Sequence, residues 1–485
     1  MERALALSTD LYELAMAAAY FDNRLQTRAI FELFVRRLPD HRAYLITAGL
    51  EQALDYLATL RFTSEQIAYL RRHTAFADVS REFFDYLGDF RFTGDAWAMP
   101  EGTAAFSNEP LLRVAAPIIE AQIVETFLLT TLGSQTMIAS KAARVVTAAA
   151  GRDVIEFGTR RAHGSEAGLF AARAAYIGGA IGTSNVEAGY LFGIPTFGTL
   201  AHSFVMSFDD EDDAFRAFLK VFPKNATVLV DTYDTLAAVE RLARDYGPAI
   251  PAVRLDSGDL RELSIGVRDI LNRAGMQKTK IFASSDLNEY RIAELLADGA
   301  LLDAFGVGTE LATSFDAPAL SAVYKLVALE EDGHIRGRIK LSRDKATYPG
   351  PKQVWRETVA EKYRQDLIAS AGESSPGSSW QPLLEEVMRD GRCLDERFAN
   401  RDIDYKKPIG VRQAARRQRL DAARARAACE RERLPEALLS LEAGASYSVH
   451  VSAQLQQEQD DLRHAHEPRA AHQGKRQKTS DKRQK

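Results

Sequence analysis

Between residues 150 and 310 the chain repeats one unit: a short apolar run that stops at glycine, hydroxyl and acidic residues, followed by a helix-like stretch. Val154-Ile155-Glu156-Phe157 stops at Gly158, and Thr227-Val228-Leu229-Val230 stops at Asp231-Thr232-Tyr233-Asp234. Ala252-Val253-Arg254-Leu255 stops at Asp256-Ser257-Gly258-Asp259, Lys280-Ile281-Phe282-Ala283 at Ser284-Ser285-Asp286, and Leu302-Asp303-Ala304-Phe305 at Gly306-Val307-Gly308-Thr309. Units of roughly 25 residues dictate parallel strands joined by right-handed crossovers, which build a barrel or a doubly wound sheet. No strand–helix turn carries a dinucleotide fingerprint, which favours the barrel. In a barrel all strand carboxyl ends open on one face, where enzymes of this architecture keep their sites. One of Asp256 and Asp286 is expected to double as a helix cap, but capping does not explain why so many units share the pattern.

The second constraint is Thr196-Phe197-Gly198-Thr199-Leu200-Ala201-His202-Ser203. Its apolar start, Ile194 to Phe197, reads as a short buried strand that opens onto hydroxyls, an imidazole and a flexible backbone, the make-up of an anion site. A single histidine is most often a structural residue. Only its neighbourhood, the pooled strand ends, argues otherwise.

At 485 residues the chain exceeds one ordinary domain. Hydrophobic residues make up 46% and the net charge is −5, which supplies a core and argues against a general nucleic-acid binder. Cys393 and Cys429 have no metal-ligand spacing and make no disulfide framework, which suits a reducing compartment. The start, Met1 to Asp10, has too short an apolar run for a signal peptide and nothing later resembles a membrane span, so a cytoplasmic protein is expected.

Leu11 to Tyr20 reads as a helix opened by Ser8-Thr9-Asp10, with Tyr12 in its first turn. Ala29 to Arg36 is a strand interrupted by Glu32 and Arg36, and Ile118 to Ser134 one long helix with an apolar face. The divisions expected are a mixed N-terminal domain over 1–135, a barrel over 136–330, strands and helices packing back on the first domain over 331–463, and a disordered basic tail over 464–485. The arginine-rich stretch Arg412 to Arg433 reads as a helix with a solvated charged face.

Pooled, the strand ends offer Arg160, Thr199, His202, Ser203, Arg254, Asp256, Ser284, Ser285, Asp286, Gly306, Gly308 and Thr309. Glycines and hydroxyls beside backbone N–H groups suit phosphate, arginines suit carboxylate or diphosphate, and acidic residues suit ribose hydroxyls and Mg²⁺. Together they point to a phosphorylated sugar and a carboxylate-bearing partner, with no Walker sequence present.

The blocks Thr9 to Leu14, Phe31 to Phe34, Glu156 to Gly164, Gly182 to Val186, Gly198 to Ser203, Val253 to Leu260 and Pro349 to Arg356 resemble, in order, the signatures of the nicotinate phosphoribosyltransferase family. The resemblance covers about residues 5 to 460 and implies an irregular α/β barrel of the type II phosphoribosyltransferase kind, with a mixed α+β N-terminal domain and a C-terminal helical extension. It implies a homodimer with sites at the subunit interface. The implied reaction makes nicotinate mononucleotide from nicotinate and 5-phosphoribosyl 1-diphosphate, with Mg²⁺, and is coupled to ATP hydrolysis through a phosphohistidine. Carried over, His202 is the phosphorylated residue, Tyr12, Thr199 and Arg254 contact nicotinate, and Arg160 and Ser203 lie beside the diphosphate. Ser284 to Asp286 and Gly306 to Thr309 hold the 5-phosphate, and Asp256 joins His202 and Arg254 as catalytic; metal ligands are not assigned. Three departures stand out: Ser285 where Gly or Asn is usual, Thr159 for a common Leu, and Pro351 for a basic residue, which leaves Lys352 as that loop's main cation. The nearest alternatives are a relative using nicotinamide or quinolinate, and a non-catalytic phosphate-sugar binder on the same barrel.

Overall fold

The computed structural model describes residues 5–25, 27–224, 226–341, 347–394, 409–442 and 444–466. Among them no helix is long and apolar enough to cross a membrane. A seven-stranded antiparallel sheet runs in the order His334–Gly337, Ala322–Glu331, Arg28–Val35, Pro110–Pro117, Asp95–Ala98, Glu385–Arg389, Arg392–Cys393. Strands from both ends of the chain therefore share one layer. An interior strand, Arg28–Val35, is buried at seven of eight positions, Glu32 included.

A carboxylate in the middle of a buried strand requires a partner. Lys352 is that partner: its Nζ lies 2.8 Å from Glu32 Oε2 and its backbone N–H donates to Glu32 Oε1. The sequence puts Lys352 in a phosphate loop as its main cation; in the structure it opens the strand Lys352–Val359, is 3% exposed, and also donates to the carbonyls of Tyr348 and Gly350. It has no charge to spare for a ligand.

Helix Leu11–Asp22 docks through Glu13, which is fully buried and accepts from the hydroxyls of Thr9 and Thr126 and from the Thr126 N–H. Burial raises the Glu13 carboxyl to about 7, against those hydrogen bonds. A carboxyl whose folded value lies above its unfolded one stabilises the fold below the unfolded value, and that contribution is lost as pH rises through the folded value. Wild type is therefore expected to lose about 3 kcal/mol between pH 4.5 and 7 relative to Glu13→Gln. Urea unfolding of both proteins at pH 5 and pH 8 checks this; parallel pH dependence in the two would remove Glu13 as its source.

The stretch read as one helix from Ile118 to Ser134 is two, Ile118–Ile123 and the 24-residue Glu125–Ala148, separated by Val124. The longer helix runs on past Ser134 because its two halves serve different layers. Phe127, Leu128 and Leu132 belong to the core of the antiparallel sheet, whereas Ala142 and Val145 belong to that of the second sheet.

That second sheet is parallel, in the order Gly182–Thr183, Asp153–Glu156, Ala304–Val307, Lys280–Ala283, Ala252–Leu255, Thr227–Leu229. Its two edges do not pair with each other among the described residues, so it forms an irregular, open α/β barrel. The segment following Ile194 spans the gap. Thr196 bridges Thr183 on one side, and Thr199 Oγ1 donates to the Thr227 carbonyl at 2.8 Å on the other. Of the expected buried strand only Ile194 is buried, while Thr196, Phe197 and Gly198 are exposed. The neighbouring edge is only two residues long and supports one bridge, not a ladder.

The arginine-rich helix, Ile409–Arg433, does have a solvated face, along Ala414, Gln418, Asp421, Ala425 and Glu432, but its described arginines in 416–433 are half-buried beside it rather than forming that face. Its own Leu420, Ala423 and Ala427 form the buried face, and its arginines reach the carboxyl ends of two other helices. Arg424 and Arg431 donate to the carbonyls of Gly179 and Gly178, at the end of Ser165–Gly178; Arg416 and Arg417 donate to those of Leu191 and Gly193, at the end of Val186–Phe192. Cations at helix carboxyl ends satisfy orphan carbonyls and meet the negative pole of the helix dipole. The final helix, Ala453–His466, takes in residues 464 to 466 of the expected tail; the remainder of that tail lies outside the described residues.

Candidate active site

Alternation along Ala252–Leu255 sends Val253 and Leu255 into the core shared with the surrounding helices and leaves Arg254 on the opposite side, 8% exposed. Arg254 Nε donates to Ser284 Oγ at 2.8 Å and Nη2 to Asp256 Oδ1 at 2.7 Å, while Ser284 Oγ donates to the same Asp256 oxygen. No acceptor is recorded for Nη1 among the described residues. The guanidinium carbon lies 5.9 Å from the centre of the Phe157 ring, so strand ends of three units converge on one cation.

His202 stands beside this group at the start of the short helix His202–Val205. Its Nδ1 is 3.2 Å from Thr232 Oγ1, and its Nε2 faces two carboxylates, Asp231 Oδ1 at 3.9 Å and Asp256 Oδ2 at 3.8 Å. Asp231 is 2% exposed at its side chain; Oδ2 accepts from the Asp256 N–H and Ser257 Oγ, and Oδ1 is buried without a hydrogen bond. Neither Asp256 nor Asp286 is a helix cap, against the expectation that one of them would be. Asp259 caps Leu260–Arg273 through the Glu262 N–H, and Asn288 caps Glu289–Ala297 through that of Arg291.

Asp231 and Thr232 were legible as a strand end but absent from the pooled set, and their side chains are what surround the imidazole. Phe157 also escaped sequence reading, since an apolar residue before glycine looks like core. At the next strand end the buried Glu156 accepts from Thr183 Oγ1 and from the Gly158 N–H; burial pushes its carboxyl above the usual range, against both hydrogen bonds. Two glycines are steric necessities here. A Cβ on Gly158 would lie 2.2 Å from Ala312 Cβ, and one on Gly306 would lie 2.7 Å from each of the Phe157 and Phe282 rings. Gly306 is thus buried within its strand, whereas Gly308 and Thr309 lie past its end, partly exposed.

Ser285 and Asp286 have φ of +96° and +41°, backbone that side chains other than glycine rarely adopt. This accounts for the usual Gly or Asn at the position of Ser285. Ser285→Gly is expected to stabilise the fold by about 0.5–1 kcal/mol by relieving that conformation. Urea unfolding would show it, and a destabilised variant would mean that the hydroxyl holds the loop.

Arg160 and Ser203 are exposed, Arg160 in the turn Thr159–Arg161 after Asp153–Glu156 and Ser203 next to His202 in the chain. Tyr12 is not brought to these residues by any recorded contact. It lies on the N-terminal helix, 47% exposed, with its hydroxyl toward Glu125; burial first, then Glu125 and Glu13, raise its ionisation above the ordinary tyrosine value.

A barrel face that gathers an arginine, a histidine, aspartates and phosphate-type loops belongs to a known architecture. Human nicotinic acid phosphoribosyltransferase superposes with a TM-score of 0.79 at 27% identity, covering 94% of this chain and 99% of that one. The nicotinate-nucleotide pyrophosphorylase of Pyrococcus furiosus shares the fold, with a TM-score of 0.69 at 24% identity over 89% of this chain and 98% of its own. The class is therefore the nicotinate-type phosphoribosyltransferase fold. Residues 7–133 match the nicotinate phosphoribosyltransferase N-terminal domain and residues 153–352 the nicotinate phosphoribosyltransferase family, and the chain belongs to that family. It is 47% identical over 466 residues to nicotinate phosphoribosyltransferase pncB2 of Mycobacterium tuberculosis, covering 95% of this chain and 94% of that one. Against the nicotinate phosphoribosyltransferase of Bacillus subtilis it is 46% identical over 362 residues, 73% of each chain.

Proposed function

We propose that this protein makes nicotinate mononucleotide and diphosphate from nicotinate and 5-phosphoribosyl 1-diphosphate, in the salvage route to NAD, and couples that synthesis to ATP hydrolysis through phosphorylation of His202. The observation that carries the reading is the imidazole itself, with Nδ1 beside Thr232 and Nε2 facing Asp231 and Asp256, next to a fixed arginine. A hydroxyl at Nδ1 orients the ring, and its partly exposed position leaves the imidazole open to a phosphoryl donor.

Arg254 has its Nε and Nη2 held by Ser284 and Asp256, so the remaining edge serves the nicotinate carboxylate while the Phe157 ring lies alongside. Thr199, fixed to the Thr227 carbonyl, and Tyr12, from a second copy of the chain, complete the base site in this reading. Tyr12's distance in contacts from the barrel cluster is the reason for placing it on the partner of a homodimer. Displacement at the ribose C1 passes through an oxocarbenium-like state; alignment of the ring nitrogen, together with charge stabilisation of the departing diphosphate by Arg160, supplies the acceleration. Ser203 adds a hydroxyl beside that group.

Mg²⁺ fits the donor set. The buried Asp231 Oδ1 has no hydrogen bond, and Asp256 lies beside it, so these two would hold the ion. Among the described residues no three such side chains converge on one point, which suits an ion bound by one or two carboxylates with phosphate oxygens and water completing its shell. When bound it offsets the diphosphate charge. The test is direct: purified protein, Mg²⁺ and 5-phosphoribosyl 1-diphosphate, with nicotinate or nicotinamide, with and without ATP. Turnover of nicotinate, enhanced by ATP, is expected; turnover of nicotinamide alone, or of neither base, would reject the reading.

A further inference from the structure

The long helix Glu125–Ala148 buries a lysine completely. Lys141 Nζ lies 2.6 Å from Glu289 Oε2, 2.9 Å from Asp316 Oδ1 and 3.7 Å from Glu310 Oε2. Glu289 is the first residue of the helix that follows the Ser284–Asp286 loop, and Glu310 immediately follows Thr309 in the helix after Gly306–Gly308. One ammonium thus ties together the exits of the two loops read above as the 5-phosphate site. Arg144, on the same face one turn on, holds the other Glu289 oxygen at 3.1 Å.

Stability alone is a poor reason for such a group, because a buried ion cluster is often matched or bettered by apolar residues of the same size. Geometry is a better one. The first loop contains consecutive residues with positive φ at Ser285 and Asp286, and such a backbone persists only where its surroundings over-determine it. Lys141 also sets a positive charge against Glu289 and Glu310, two carboxylates that would otherwise repel a phosphate at these loops. We propose that Lys141 is a positioning residue, touching no substrate, that locks the Ser284–Asp286 and Gly306–Thr309 loops into a single cradle for the phosphomonoester of the ribose. The inference rests on the reading of those loops as the 5-phosphate site.

The test uses the full chain as wild type, as Lys141→Arg and as the double variant Lys141→Met with Glu289→Gln, which removes one charge of each sign. Initial rates are measured with 5-phosphoribosyl 1-diphosphate and nicotinate varied separately, with ribose 5-phosphate as a competing ligand and melting temperature as a control. In the double variant the KM for 5-phosphoribosyl 1-diphosphate and the Ki of ribose 5-phosphate are expected to rise together by about tenfold, the nicotinate KM to stay within about twofold, and Lys141→Arg to recover most of the loss. An unchanged Ki, or equal rises in both substrate KM values with a lowered melting temperature, would overturn the proposal and leave Lys141 a structural group. If the double variant does not fold, Glu310→Gln, at a partly exposed partner, is read by the same ratio of KM values and decides in its place. A wild type that neither turns over 5-phosphoribosyl 1-diphosphate nor is inhibited by ribose 5-phosphate overturns the site reading, and this inference with it. A normal wild type with insensitive variants overturns the role of Lys141 alone.

Discussion

His202→Ala is expected to abolish incorporation of acid-labile phosphate from γ-labelled ATP and to lower ATP hydrolysis by about a thousandfold or more, because the Gly198–Ser203 loop holds no other residue that forms a phosphoramidate. Synthesis at saturating 5-phosphoribosyl 1-diphosphate should survive at a reduced rate, since alignment of nicotinate by Arg254 and Thr199 does not use the imidazole. On the proposed reading, the surroundings of His202 would provide the coupling. A phosphoryl group on His202 would place negative charge within a few ångströms of Asp231 and Asp256 and of the adjoining diphosphate site. Any difference this makes to substrate and product affinity is the coupling free energy, and it must be reciprocal. Protein-bound label that resists base but not acid is the measurement. Undiminished label in the variant would sink the assignment and move attention to His163, which lies exposed in the loop after Thr159–Arg161. A companion variant, Thr232→Val, should slow labelling without abolishing it, because it removes the hydroxyl at Nδ1 and leaves the nucleophile.

Arg254→Ala is expected to raise the nicotinate KM by about 30- to 1,000-fold, the equivalent of about 2–4 kcal/mol for a charge-assisted pair in a desolvated site. ATP hydrolysis in the absence of nicotinate should change far less. The truncation also releases Ser284 Oγ and Asp256 Oδ1 from their arginine partner, so part of any loss reflects a looser Asp256. Arg254→Lys separates the two contributions. It keeps the charge near Asp256 but cannot hold Ser284, Asp256 and a carboxylate at once, and should recover ATP hydrolysis without recovering nicotinate affinity. An unaltered nicotinate KM in Arg254→Ala would remove this residue from the base site.

Much of the candidate site was legible because strand ends in a parallel α/β repeat announce themselves: an apolar run stops, and polar residues with glycine follow. Arg254, Asp256, Ser284 and His202 were found that way and do lie together. Asp231 carried the same signal but was not pooled with the others; the cap expected of Asp256 or Asp286 belongs instead to Asp259 and Asn288, with Asp234 capping the helix after Asp231. Lys352 misled in the opposite direction. A lysine after Pro-Gly-Pro looks exposed, and only the pairing of its strand's start with Glu32 shows that its charge is already taken.

The sequence by itself determined the parallel strand–helix repeat, the face on which its polar ends gather and the family, because each is written in residues close together along the chain. Period, turn chemistry and block order are local properties. Tertiary structure alone decided which charges are spent and which are available. Glu32 with Lys352, Lys141 with Glu289 and Asp316, and the arginines of Ile409–Arg433 with carbonyls more than 200 residues away are pairs formed across the fold. No periodicity records them, because the free energy that joins such groups comes from their shared removal from water, and a residue's neighbours in the chain do not reveal which group it will meet there.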